Sequence, residues 1–232
     1  MSKEVCEYRL QLRGRPVGSY RVSTLVKQQL VHLEGRLELQ GALGRKTIQQ
    51  QSSLHKDSFE SVHFSEWQQD GSQKRTFEVV FDSDQGLVTA QRGKDHASIP
   101  YIQAYRDPLS IFYELRQLQL NRVQLPLIGK DVVFDKVNNV TLETALGKMD
   151  AHVYLCQPGG SYVYVEAGGS HTILKYIQRL EGQVLEAVLV KVAHEAERSD
   201  TDKHDKHDKR NRRNRRNSRR NPRSRAKNRK KS

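Results

Sequence analysis

Alternation of apolar and polar residues dominates the chain between Cys6 and Val192. In Val31-His32-Leu33-Glu34-Gly35-Arg36-Leu37-Glu38-Leu39 every odd position is apolar or glycine and every even one is polar. A strand sends those two sets to opposite faces, one toward a core and one toward water, whereas helical spacing would scatter them around the axis. The same period runs through Cys6, Tyr8, Leu10 and Leu12, through Gly18, Tyr20 and Val22, and through Arg75, Phe77, Val79 and Phe81. It returns in Met149, Ala151, Val153 and Leu155, and in Val184, Glu186, Val188, Val190 and Val192. Turn residues separate the runs at Gly14-Arg15-Pro16, Asp70-Gly71, Asp84-Gln85-Gly86, Gly93-Lys94, Pro158-Gly159-Gly160, Gly168-Gly169 and Glu181-Gly182. Strand-length segments punctuated this regularly predict a mainly β protein. Its antiparallel meander is expected to form a barrel or a strongly curved half-barrel. Full closure would remove the exposed edges of so long a sheet.

One segment breaks the period. In Asp107-Pro108-Leu109-Ser110-Ile111-Phe112-Tyr113-Glu114-Leu115-Arg116-Gln117-Leu118, the residues Leu109, Phe112, Leu115 and Leu118 recur at every third position, with Ile111 alongside. That spacing makes one apolar helical stripe and predicts a helix over 107–118. Asp107 suits the cap, where its carboxylate accepts orphan backbone N–H groups, and Pro108 suits the first turn. The helix is expected to plug or cover one opening of the curved sheet, with the later strands completing that sheet.

The opening Tyr8-Arg9-Leu10-Gln11-Leu12-Arg13-Gly14-Arg15-Pro16-Val17-Gly18 and the central Asp107-Pro108-Leu109-Ser110 through Tyr113-Glu114-Leu115-Arg116 carry a family resemblance. With the hairpin segment Phe77-Glu78-Val79-Val80-Phe81-Asp82, they resemble the bacterial domain of unknown function 3108 over about Glu4 to Val192. The resemblance implies the curved-sheet, one-helix architecture of LolA/LolB-like lipoprotein carriers and supplies no catalytic residues. Members of that family are usually exported, whereas Met1-Ser2-Lys3-Glu4-Val5-Cys6 opens straight into alternation with no apolar signal stretch. No run approaches the ~18 apolar residues of a spanning helix. The expectation is therefore a cytoplasmic protein.

Charge divides the chain in two. The 232 residues carry a net +13, but Ser199–Ser232 alone has sixteen Lys/Arg and four Asp, which leaves Met1–Arg198 close to neutral. That first part is about 40% hydrophobic, ordinary for one folded domain, and excludes a fully disordered chain or a coiled coil. The expected organisation is a β-barrel-like domain at 1–193, a charged spacer at 194–208 and a disordered tail at 209–232. Cys6 and Cys156 are too few for a disulfide scaffold and are expected to be partly buried thiols.

The tail holds the densest chemistry. Lys209, Arg210, Arg212, Arg213, Arg215, Arg216, Arg219, Arg220, Arg223, Arg225, Lys227, Arg229, Lys230 and Lys231 crowd into 24 residues without one acid, and Arg-Arg-Asn recurs with a period of three. Like charges this dense repel, and nothing apolar offsets the entropy of ordering. A guanidinium forks onto phosphate oxygens and stacks on bases, so the tail is expected to bind nucleic acid, RNA more than DNA. A membrane surface fits less well, because no Leu, Phe or Trp anchors the stretch. In the spacer, His204 and His207 with Asp202, Asp205 and Asp208 could loosely chelate a metal, but a solvated spacer is the simpler reading.

No Gly-x-Ser-x-Gly elbow, His-Glu-x-x-His, phosphate loop or Cys-x-x-Cys occurs, and the histidines of the first 198 residues lack metal-ligand spacing. No cofactor, metal site or catalytic residue is expected. Two non-enzymatic functions remain. The first is a barrel whose tail binds RNA or DNA while the barrel meets a protein partner, with Tyr162 and Tyr164 either stacking on bases or packed in the core. The alternative is a carrier of an apolar small molecule or lipid, enclosed by the curved sheet and the helix. An apolar-walled cavity beside the helix would favour the carrier, and a packed interior the nucleic-acid binder.

Overall fold

The computed structural model describes residues 2–41, 44–118, 120–180 and 183–196. The first half of the chain forms β1 (Ser2–Leu12), β2 (Arg15–Lys27), β3 (Leu30–Leu39), β4 (Lys46–His55), β5 (Ser61–Asp70), β6 (Gln73–Asp82), β7 (Leu87–Arg92) and β8 (Asp95–Pro100). One helix follows, α1 (Ser110–Leu118). The second half forms β9 (Arg122–Leu127), β10 (Lys130–Thr144), β11 (Gly147–Gln157), β12 (Ser161–Glu166), β13 (Ile173–Leu180) and β14 (Gln183–Ala196). All of these elements but the last residue of β14 belong to a compact unit spanning Met1–Glu195.

The strands make a single sheet in the order β8-β7-β6-β5-β4-β3-β2-β1-β14-β13-β12-β11-β10-β9. Chain neighbours pair antiparallel as hairpins, from Tyr8 opposite Tyr20 in the first to Tyr176 opposite Ala187 in the last. The sheet curves but does not close, so the half-barrel form is the one adopted, with β8 and β9 as its edges. The segment joining those edges is bonded to β5 and to the β9 edge. Ser61 N–H donates to the Tyr105 carbonyl and Arg106 N–H to the Pro126 carbonyl, and Arg106 bridges Leu127 in parallel. Pro126 lacks a donor and is tolerated because β9 is an edge.

Burial follows the alternation where only one face of a strand is apolar. Val31, Leu33 and Gly35 of β3 are buried, as are Cys6, Tyr8 and Leu10 of β1. In β14 both faces are apolar, and the structure corrects the expected phase: Leu185, Ala187 and Leu189 are buried, while Val184 is exposed and Val188, Val190 and Val192 are half-buried. Period alone cannot choose between two apolar sets. In β11 the expected set holds at Ala151 and Val153, but Tyr154 rather than Leu155 is buried beyond them. The register there shifts between Lys136 and Asn138 on the facing strand.

Two strand glycines have steric reasons. Gly35 sits under the Tyr20 ring, whose hydroxyl would lie 3.0 Å from an added Cβ. At Gly18, beside the register shift between Leu10 and Gln11, an added Cβ would stand 1.9 Å from the Glu38 carbonyl oxygen. Backbone cannot yield as a flexible side chain does. Gly18→Ala is therefore expected to destabilise the chain by about 2–3 kcal/mol in urea unfolding, whereas Gly71→Ala meets no atom and is limited to its backbone strain.

The helix starts as its sequence demands. Asp107 Oδ1 accepts from Leu109 N–H at 2.8 Å and Ser110 N–H at 3.0 Å, so Asp107 is the cap, and Pro108 follows it in the first turn. The stripe is buried at Leu109, Ile111 and Leu115. Leu109 joins an apolar cluster from β3 to β7, and Ile111 and Leu115 join another from β9 to β12. The helix thus packs against both halves of the sheet.

Candidate functional site

Three polar anchors hold α1 and its approach. The first is the Asp107 cap, whose second oxygen accepts from the hydroxyls of Ser52 at 2.7 Å and Ser61 at 2.6 Å on β4 and β5. All four donors converge on one buried carboxylate. The second is a buried pair, Arg106 with Glu114: Nε donates to Oε2 at 2.5 Å and Nη2 to Oε1 at 3.2 Å. Arg106 also donates to the carbonyls of Ala104 and Ser58. The third joins α1 to β1, where Arg116 Nη1 and Nη2 donate to the two oxygens of Glu4 at 2.8 and 3.2 Å. Forked pairs of this kind fix direction as well as charge.

A cavity lies between α1 and the sheet beside this third anchor. Its wall includes Tyr8, Val22, Leu109, Phe112, Ile173 and Tyr176, with Glu4 and Arg116 as its charged pair. Its interior volume is about 80 Å³. Apolar walls with few polar groups are the usual make-up of a small-molecule site.

Electrostatics in the wall follow from burial. Burial works against the Arg116 cation, but the hydrogen bond and charge of Glu4 outweigh it and hold the guanidinium pKa above its ordinary value. Burial, with the Glu4 charge behind it, pushes the Cys6 thiol up to about 11. Tyr8 and Tyr20 are raised as well, chiefly by burial. Cys6 is accordingly a poor nucleophile: near pH 8 about one molecule in a thousand carries the thiolate. Labelling of the folded chain by a disulfide reagent is expected to be slow at Cys6 and to accelerate as pH rises toward 11. The linked stability is fully present below the unfolded thiol value, near 9, and is lost as pH climbs from there through the folded value. Fast labelling of Cys6 at neutral pH would contradict this.

The sequence reading missed Glu4 and Arg116. Glu4 keeps the phase of Cys6, Tyr8 and Leu10, so it is an acid on the inward face of β1. Arg116 stands four residues after Phe112, on the side of the helix that meets the cavity. A charged residue in an inward phase was the available signal. Tyr162 and Tyr164 alternate with buried Ser161, Val163 and Val165, so they stand half-buried on the other face of β12, with Lys175 Nζ 5.9 Å from the Tyr164 ring centre. The fourteen basic residues from Lys209 to Lys231 lie outside the described residues, as do Asp202, His204, Asp205, His207 and Asp208. Among the described residues no group of three or more His, Cys, Asp or Glu is placed to hold a metal ion, and no helix is long and apolar enough to cross a membrane.

The family model described as a protein of unknown function, DUF3108, matches residues 7–173. The chain belongs to the DUF3108 family. The match contains the β1–β2 hairpin from Glu7 onward, both buried arginines and the whole Asp107 cap. The residues that carried the resemblance, Asp107, Ser110, Glu114 and Arg116, thus prove to be the helix anchors. The DUF3108 chain is also similar in fold to a beta-barrel-like protein of domain of unknown function DUF1849 from Brucella abortus. The two share 8% identity with a TM-score of 0.54, over 84% of this chain and 99% of that one. No curated protein matches. Neither match names a LolA- or LolB-like carrier, so that part of the resemblance gains no support.

Proposed function

We propose that the folded unit of this DUF3108 protein is a non-enzymatic binder of a small apolar molecule, held between α1 and the sheet. The apolar-walled cavity beside Phe112, Tyr8 and Ile173 carries the reading. The test uses the full chain and a neutral apolar dye, N-phenyl-1-naphthylamine, whose fluorescence rises on burial. Val22→Phe adds a ring to the wall from a half-buried strand position. It is expected to weaken dye binding about tenfold while leaving the melting transition in place. Undiminished dye binding in a folded Val22→Phe protein would overturn the reading.

A separate observation supports a second activity, nucleic-acid binding by the tail: fourteen Lys/Arg and no acid in Lys209–Ser232. Neutralising ~5 phosphates gives a slope of log K against log salt of roughly −4. A flat dependence, or equal RNA retention after deletion of Lys209–Ser232, would remove it. That deletion is expected to leave dye binding unchanged.

A further inference from the structure

The two members of the cavity's charged pair are held unequally. Arg116 donates through Nε to the His171 carbonyl at 3.0 Å and through Nη2 to the Ser170 carbonyl at 3.3 Å, besides its fork onto Glu4. Those carbonyls belong to the connection between β12 and β13 and do not depend on Glu4 as a bonding partner. Glu4 accepts from Arg116 and, weakly, from the Cys6 thiol 3.8 Å away, and its side chain is 17% exposed against 11% for Arg116. The cation is therefore built into the wall, and the carboxylate is the exchangeable partner.

From this asymmetry we propose that the ligand is an anionic amphiphile, an alkyl chain ending in a carboxylate or phosphate, whose head replaces Glu4 on Arg116. The inference rests on the binding reading above. A guanidinium stays charged inside a protein and presents parallel N–H donors that fit carboxylate or phosphate oxygens. When the head arrives, Glu4 turns out to water, so Arg116 keeps one anionic partner and no buried charge is left uncompensated. The chain of the ligand lies along Tyr8, Val22, Phe112 and Ile173. An uncharged amphiphile gains the same apolar contacts without the fork. A cationic one meets Arg116 and is repelled.

Displacement of N-phenyl-1-naphthylamine from the full chain by dodecanoate, dodecyl phosphate, dodecanol and dodecylammonium tests this. One or both anions are expected to displace the dye at about tenfold lower concentration than dodecanol, with dodecylammonium weakest. Which anion is tighter distinguishes a fatty acid from a phosphorylated lipid. Glu4→Gln removes the competing charge and is expected to tighten the preferred anion about tenfold relative to dodecanol. If Glu4→Gln fails to fold, the head-group series on the unaltered chain decides. Equal displacement by dodecanol and the anions, or strongest displacement by dodecylammonium, overturns the inference and leaves the binding reading standing. Failure of the dye itself to bind overturns both.

Discussion

Asp107→Ala is expected to lower the unfolding free energy by about 3 kcal/mol, read from urea titration of far-UV circular dichroism. One carboxylate here serves two tasks. It caps α1 through Leu109 and Ser110 N–H, and loss of such a cap costs about 1 kcal/mol. It also accepts from Ser52 and Ser61, both buried; Ser61 keeps Ser110 Oγ at 3.1 Å, but Ser52 loses its acceptor, and a buried hydroxyl left without its partner costs about 1–3 kcal/mol. Asp107→Asn keeps the cap oxygen and turns an amide toward the two hydroxyls, which can rotate to accept, so its effect should be about half as large. Hydrogen exchange at the α1 amides should rise in Asp107→Ala more than at β3 or β4. A loss below 1 kcal/mol would show that the convergence of four donors is not what fixes the helix.

Glu114→Ala should be larger still, about 3–5 kcal/mol in the same titration, because it strands the Arg106 guanidinium at a buried position. Two backbone carbonyls remain as partners, Ala104 and Ser58, but neither carries a compensating charge. The contrast that isolates the cause is the double change Arg106→Met with Glu114→Met. Removing both charges and filling the space with flexible apolar side chains should recover more than half of the loss, as buried pairs often tolerate apolar replacement. A double variant as unstable as Glu114→Ala would trace the effect to packing or to the orphaned carbonyls instead.

The sheet and the helix were readable from the residues because their signals are local. Alternation in β3 needed only nine positions, and the Asp107 cap only four. The open form was not decided by the pattern, since an open and a closed meander alternate alike and differ in what covers the edges. Here Arg106 lies along the β9 edge and Tyr105 bonds to β5, from a stretch with no period at all. The phase of β14 failed for a different reason: Val184, Leu185, Ala187, Val188, Leu189 and Val190 offer two apolar faces, and only the packing of β1 and β13 on either side selects one. The charged groups of the site were hidden by distance. Glu4 and Arg116 are 112 residues apart, and a charge pair across that separation leaves no spacing to find.

The order of the strands has a bearing on how the chain finds this shape. Every paired neighbour in the described sheet is joined by a short connection except β1 and β14, which come from opposite ends of the described chain. Hairpins can zip as soon as their residues are available, whereas that seam must wait for a long loop to close. Two preassembled curved panels, β1–β8 and β9–β14, would then meet along a single late suture. Until it closes, the Glu4 edge of one panel is bare while the other is still being made. A pause in ribosomal synthesis before β14 should therefore leave a compact but aggregation-prone intermediate with unpaired β1.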